Sequence, residues 1–244
     1  MGIAVKCARV GNKILSFIAM VLVLIMLLYG GYSLWNTIMI YRGAFSSNDL
    51  LKYQPTGDGP NSITLGELMK LNKDVVGWIT IFDTHISYPV VQGKDNQEYL
   101  NKDVFGKFSF SGSIFLDYRN ACDFTDSYSI IYGHHMEYGA MFGDVVEFKM
   151  MIISGAQDRS IVLLDDTYKI TLFACVETQE FNNKIYNPTV QGKDNLDTLL
   201  KYIKDEAVQY RDIPLNHDDK IIGISTCAEA GTNERVVLFG RLDK

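Results

Sequence analysis

Hydrophobic and polar positions divide the chain into two regimes. From residue 14 to residue 41 there is no charged side chain, and 15–28 is almost wholly aliphatic. That run exceeds the ~20 residues a helix needs to cross a bilayer. Beyond residue 64 the apolar positions recur instead in short runs. Those at 75–81, 86–91, 112–117, 127–133, 160–164, 168–177, 220–227 and 235–242 read as eight strands. Turn residues separate them, which predicts a barrel or a sandwich. Pro89 in the second run favours an edge position or a bulge. Helical patterns interrupt the strands at 64–71, 141–151 and 195–209. The first opens on Thr64 with Glu67 three residues later, the spacing of a capping box. The last carries Leu196, Leu199, Leu200, Ile203 and Val208 along it. The expected fold is mainly β with added helices.

Charge sharpens the division. Lys6, Arg9 and Lys13 give residues 1–41 a charge of +3, so a total of −6 leaves −9 for the rest. An acidic domain argues against nucleic acid as a partner, because phosphate binding needs a basic face. The basic flank precedes the apolar run, which predicts a cytoplasmic N-terminus and an external domain. Tyr29, Tyr32, Leu34 and Trp35 follow the aliphatic core where a cleaved signal peptide would carry small residues. An uncleaved signal anchor is therefore expected. The layout is a basic segment at 1–13, a membrane span at 14–41, a polar linker at 42–63 punctuated by Pro55, Gly57, Gly59 and Pro60, and a catalytic domain at 64–244.

Of the four cysteines, Cys7 falls on the cytoplasmic side, and Cys122, Cys175 and Cys227 lie outside. An odd number leaves at least one without a partner in the chain, and no pair has the spacing of a zinc or redox motif. Cys175 lies within an apolar strand and reads as a core thiol. Cys227 instead ends a strand; a polar loop follows it, and Arg235 opens the next strand. A hairpin of that kind sets thiol and guanidinium side by side, where the cation favours thiolate and can donate to an oxyanion. On this segment alone, a core cysteine beside a solvated turn reads equally well. Gly133-His134-His135 adds a histidine at another strand end, and a Cys with a His is a pairing used for nucleophilic catalysis. His85 and His217 lie in turn-like polar contexts.

These residues carry a resemblance. Thr226-Cys227, Arg235 and Gly133-His134 resemble the sortases. Asp74-Val-Val-Gly-Trp-Ile, Tyr88-Pro-Val-Val-Gln-Gly, Asp95-Asn through Tyr99-Leu100, Gly112-Ser-Ile-Phe-Leu-Asp-Tyr-Arg-Asn and Ile131-Tyr-Gly-His-His-Met are similar to class B in particular. The match runs over about 64–244 in the family's order. It implies an eight-stranded sortase-type β-barrel with N-terminal helices and a helix between strands six and seven, and no metal or cofactor. It also implies a transpeptidase with Cys227 as nucleophile, His134 as proton carrier and Arg235 as oxyanion and peptide support. Leu100, Ser225 and Glu229 are expected to meet the substrate, with specificity set by the loop at 177–187 and the segment before Asp95. The implied partners are secreted surface proteins or pilins bearing a C-terminal sorting motif. The implied amine acceptor is a peptidoglycan precursor or a pilin lysine. A hydrolytic cysteine peptidase and a non-catalytic membrane-tethered binding domain are the alternatives. A papain-like order is disfavoured, because His134 precedes Cys227 and Cys227 ends a strand.

Overall fold

A computed structural model describes residues 2–44, 48–55, 63–150, 159–163, 166–189, 192–227 and 233–243. The chain divides into two compact units, Met1–Tyr41 and Arg42–Lys244. Helix α1 (Gly2–Ala44) has no charged side chain from Ile14 to Tyr41, and its large apolar side chains from Ile14 to Met39 are mostly exposed. Its stretch Val5–Tyr41 is long and apolar enough to cross a membrane.

The second unit opens with α2 (Asn48–Leu51) and α3 (Ile63–Leu71). Because α3 begins at Ile63, Thr64 lies inside its first turn, two residues past the cap position. The strands β1 (Val75–Thr80), β2 (Ser87–Val91), β3 (Ile114–Leu116), β4 (Tyr128–Tyr132), β5 (Arg159–Leu163), β6 (Asp166–Gln179), β7 (Ala207–Tyr210), β8 (Lys220–Cys227) and β9 (Glu234–Asp243) form one sheet. Its order is β5-β1-β2-β3-β4-β8-β9-β6-β7. Since β5 pairs with β6 as well as β1, the row of eight returns onto itself through the first residues of β6. The rest of that edge of β6 carries β7.

Three expectations change. Pro89 is not on an edge, because β2 lies between β1 and β3. The β2–β3 ladder starts only at Val90, so the missing Pro89 N–H breaks no bond there. The expected helix at 141–151 is a 3₁₀ segment, Gly143–Lys149, within the described residues. Tyr138, Gly139 and Met141 all have φ between 54° and 74°, which no continuous right-handed helix tolerates. The helix α4 (Lys193–Glu206) stops before Ala207, where the backbone turns extended and enters β7.

Among the described residues, two buried clusters matter for the site. One joins Tyr128, Ile130, Phe173, Val176 and Phe239 to Leu196, Leu199 and Ile203 of α4. The other packs Leu65 and Leu68 of α3 against Val75, Trp78, Val91 and Phe115. Between β3 and β4, Asn120 ties the connecting loop down. Its Nδ2 donates to the Tyr128 carbonyl at 2.8 Å, and its Oδ1 accepts from Ile130 N–H at 3.1 Å.

Candidate active site

Three strand ends meet at one rim of the sheet. β4 and β8 run parallel, with Tyr132 opposite Ser225, and β9 runs antiparallel to β8, with Arg235 opposite Cys227. The last residues of β4 and β8 therefore lie beside the first residues of β9. Gly133 N–H donates to the Ser225 carbonyl at 3.1 Å, which carries the β4–β8 ladder one residue past the strand and sets where His134 starts. Why glycine precedes this histidine is steric. A Cβ at Gly133 would lie 2.5 Å from Ile114 Cδ1 and 2.6 Å from the Phe142 ring. The His134 carbonyl accepts from Phe142 N–H at 3.0 Å. Its Nε2 lies 3.1 Å from the Leu100 carbonyl, which can only accept. Nε2 therefore carries the proton in this contact, and Nδ1 is the nitrogen left to exchange one.

These ends open onto a cleft of about 560 Å³, lined among others by His134, Leu100, Ser225, Thr226 and Arg235. The structure thus brings His134 and Arg235 to one cleft, with the Cys227 backbone beside Arg235. Leu100 and Ser225 also line it. Ser225 shares a hydrogen bond with the Tyr186 hydroxyl at 3.0 Å. Glu229 lies outside the described residues. Cys175 is fully buried in β6, and burial pushes its thiol up to about 12, so it stays protonated at physiological pH.

Several lining residues were not singled out by sequence. Asp117 is fully buried behind the wall of the cleft. Arg119 forks onto it, with Nε 2.8 Å from Oδ1 and Nη2 2.7 Å from Oδ2. The Tyr132 hydroxyl and the Asn96 amide both donate to Oδ2, each at 2.9 Å. Burial pushes the Asp117 carboxyl up, but the Arg119 fork, the Arg119 backbone N–H, Asn96 and Tyr132 together hold it below the usual carboxylate value. Burial and the Asp117 charge push the Tyr132 phenol well up, so it remains a donor. Arg119 Nη2 also reaches the Tyr186 carbonyl at 3.0 Å, fastening the loop after β6 to the same wall. From that loop come Glu180, Phe181 and Tyr186. Arg119 and Tyr132 fall within the segments that carried the family resemblance. Glu180 and Tyr186 lie in the loop expected to shape specificity but in no motif; continuation of the β6–β9 pairing brings Glu180 to the cleft, and the hydrogen bonds to Arg119 and Ser225 hold Tyr186 there.

A sortase domain model matches residues 79–243. The chain is 36% identical over 189 residues to Sortase B of Listeria monocytogenes, covering 73% of each protein. The chain belongs to the sortase family, class B. Its fold is similar to the crystal structure of a Streptococcus pyogenes class B sortase involved in pilus biogenesis, at TM-score 0.67 and 36% identity, covering 74% of this chain and 98% of that one. A Staphylococcus aureus sortase B–substrate complex matches at TM-score 0.67 and 29% identity, over 77% and 88% of the two chains. Sortases are cysteine transpeptidases, so this one transfers an acyl group from a sorting-motif substrate to an amine acceptor.

Proposed function

We propose that Cys227 is the nucleophile of this sortase, His134 its proton carrier and Arg235 its oxyanion support. The observation that carries the reading is the register of three neighbouring strands, which sets Cys227 opposite Arg235 and His134 just past the end of β4. In the first step the Cys227 thiolate attacks a backbone carbonyl of the sorting motif, and the guanidinium faces the developing oxyanion. The C–N bond then breaks, and His134, as imidazolium, gives its proton to the leaving amine. In the second step an acceptor amine attacks the thioester and loses a proton to His134, and the thiolate departs. Leu100 and Ser225 line the path of the peptide, and Glu229 belongs to the same substrate surface on sequence grounds.

The substrates in this proposal are secreted surface proteins or pilins, and the acceptor is a peptidoglycan precursor or a pilin lysine. The domain at 64–244 works outside the cell, joined by a linker at 42–63 to a span at 14–41, with 1–13 in the cytoplasm. Supporting this are the length of α1 and the excess of basic residues on the flank before the uncharged run, Lys6, Arg9 and Lys13 against Arg42 directly after it.

Mass spectrometry tests the reading. The protein is incubated with a library of sorting-motif peptides and triglycine or a lysine amine. Wild type should show a peptide thioester on Cys227 and then an amide product. Cys227→Ala should show neither. Arg235→Ala should lower kcat about 10²–10³-fold, the usual loss for an oxyanion donor. Acid product alone, with amine in excess, would mean a hydrolase instead.

A further inference from the structure

An arginine has a long, freely rotating stem, and one that serves a reacting carbonyl must be aimed. The residue that aims Arg235 is on β6. Thr178 lies opposite Arg235 in the β6–β9 ladder, and Gln179 opposite Glu234. One residue beyond, Glu180 N–H donates to the Asn233 carbonyl at 2.9 Å, continuing the pairing past the strand. Side chains alternate along a strand, so Thr178 and Glu180 share the face of Arg235, and Glu180 is its diagonal neighbour. The two meet: Arg235 Nη2 donates to Glu180 Oε2. Arg235 Nη1 donates to the Glu234 carbonyl at 3.0 Å. The side chains are only 19% and 27% exposed, so water screens the pair less than an ion pair on an open surface.

Glu180 is itself held. In the turn after it, Asn182 Nδ2 donates to Thr178 Oγ1 and to the Tyr202 hydroxyl of α4, both at 2.7 Å. On the other flank of β9 stands Cys227, directly opposite Arg235. Arg235 therefore sits in a row between Thr178 and Cys227, and its guanidinium is fastened from the β6 side.

We propose that Glu180 is a positioning residue for acyl transfer: its carboxylate fixes the Arg235 guanidinium at the mouth of the cleft before substrate arrives. The proposal rests on the roles given above to Cys227 and Arg235. It separates aim from charge. A carboxylate beside the cation also offsets part of its field at the reacting carbonyl. If that offset were its main effect, removing Glu180 would speed the reaction; if aim dominates, removal slows it.

The test uses the full chain in detergent micelles, with the peptide that wild type selects from the library and triglycine as acceptor. Glu180→Ala should lower kcat about ten-fold, the scale of one hydrogen bond to a charged group, with KM within about two-fold. Glu180→Asp should recover part of that loss. In an Arg235→Ala background, Glu180→Ala should cost nothing further. An unchanged or higher kcat, or an equal loss in both backgrounds, would overturn the proposal. A second readout needs no substrate: nitrogen-15 relaxation at Arg235 Nε should report a rigid guanidinium in wild type and a mobile one in Glu180→Ala. Equal mobility in the two would also overturn it. If wild type forms no thioester, the site reading fails and this role falls with it; an ordered Nε in that case still shows the ion pair intact, which tells the two failures apart.

Discussion

Asp117 sets how the stability of the cleft wall depends on acid. It is fully buried, with a carboxyl held below the usual carboxylate value despite the burial that pushes it up. A depressed native pKa means that the unfolded chain takes up the proton first as pH falls. The stabilisation is therefore fully present above about pH 3.9, the ordinary value, and drains away as pH drops through the lower native one. Asp117→Asn leaves Arg119 without its anion, and breaking one side of a buried pair costs about 3 kcal/mol or more. Denaturant unfolding of both proteins should show that gap at pH 7 and at pH 5, closing only below about pH 4. A gap already closing at pH 6 would mean that the Asp117 carboxyl is not depressed. Sequence pointed at Cys227, His134 and Arg235, because each stands at the end of an apolar run within a recognisable motif. It did not point at Glu180 or Tyr186. Their relevance comes from register across β6–β9 and from the hydrogen bonds of Arg119 and Ser225, which no local pattern encodes.

Among the elements, the end of β4 is the most constrained. Gly133 has no room for a methyl group, since Ile114 and the Phe142 ring already occupy the position of its Cβ. Gly133→Ala must push β3 or the segment at Phe142 aside, which typically costs 1–3 kcal/mol. It must also displace His134, whose carbonyl and Nε2 are both engaged. The expected outcome is a lower melting temperature and, well below it, a thioester rate reduced by more than the folded fraction explains. Loss of stability with a normal rate would mean that His134 is held from elsewhere. The strands were legible because alternation and turn residues bound each of them. The segment after His134 was not. Its methionines and valines repeat as a helix would, while the left-handed Tyr138, Gly139 and Met141 and the close approach of Gly143 to the Met136 carbonyl permit only 3₁₀ turns. β7 was missed for a related reason. Val208 continues the apolar pattern of α4, but the second half of β6 offers unpaired backbone groups, and pairing with them outweighs one more helical turn.

Taken whole, the chain joins an apolar helix to a domain that, in the function proposed above, acts on secreted substrates. The uncharged run at 14–41 would span roughly 42 Å as a helix, more than the ~30 Å of hydrocarbon it has to cross. Orientation follows from charge: three cations and no acid in 1–41, all before that run, favour a cytoplasmic N-terminus. The native cysteines can report it without any substitution. Cys7 and Cys122 are both exposed, on opposite sides of the span in sequence, whereas Cys175 is buried. On wall-stripped intact cells, a membrane-impermeant maleimide should modify Cys122 and leave Cys7 untouched, with each site read from its own peptide by mass spectrometry. After permeabilisation both should react. Modification of Cys7 on intact cells would invert the topology and place the cleft in the cytoplasm, away from any secreted substrate. Modification of both on intact cells would mean that α1 does not cross the membrane at all.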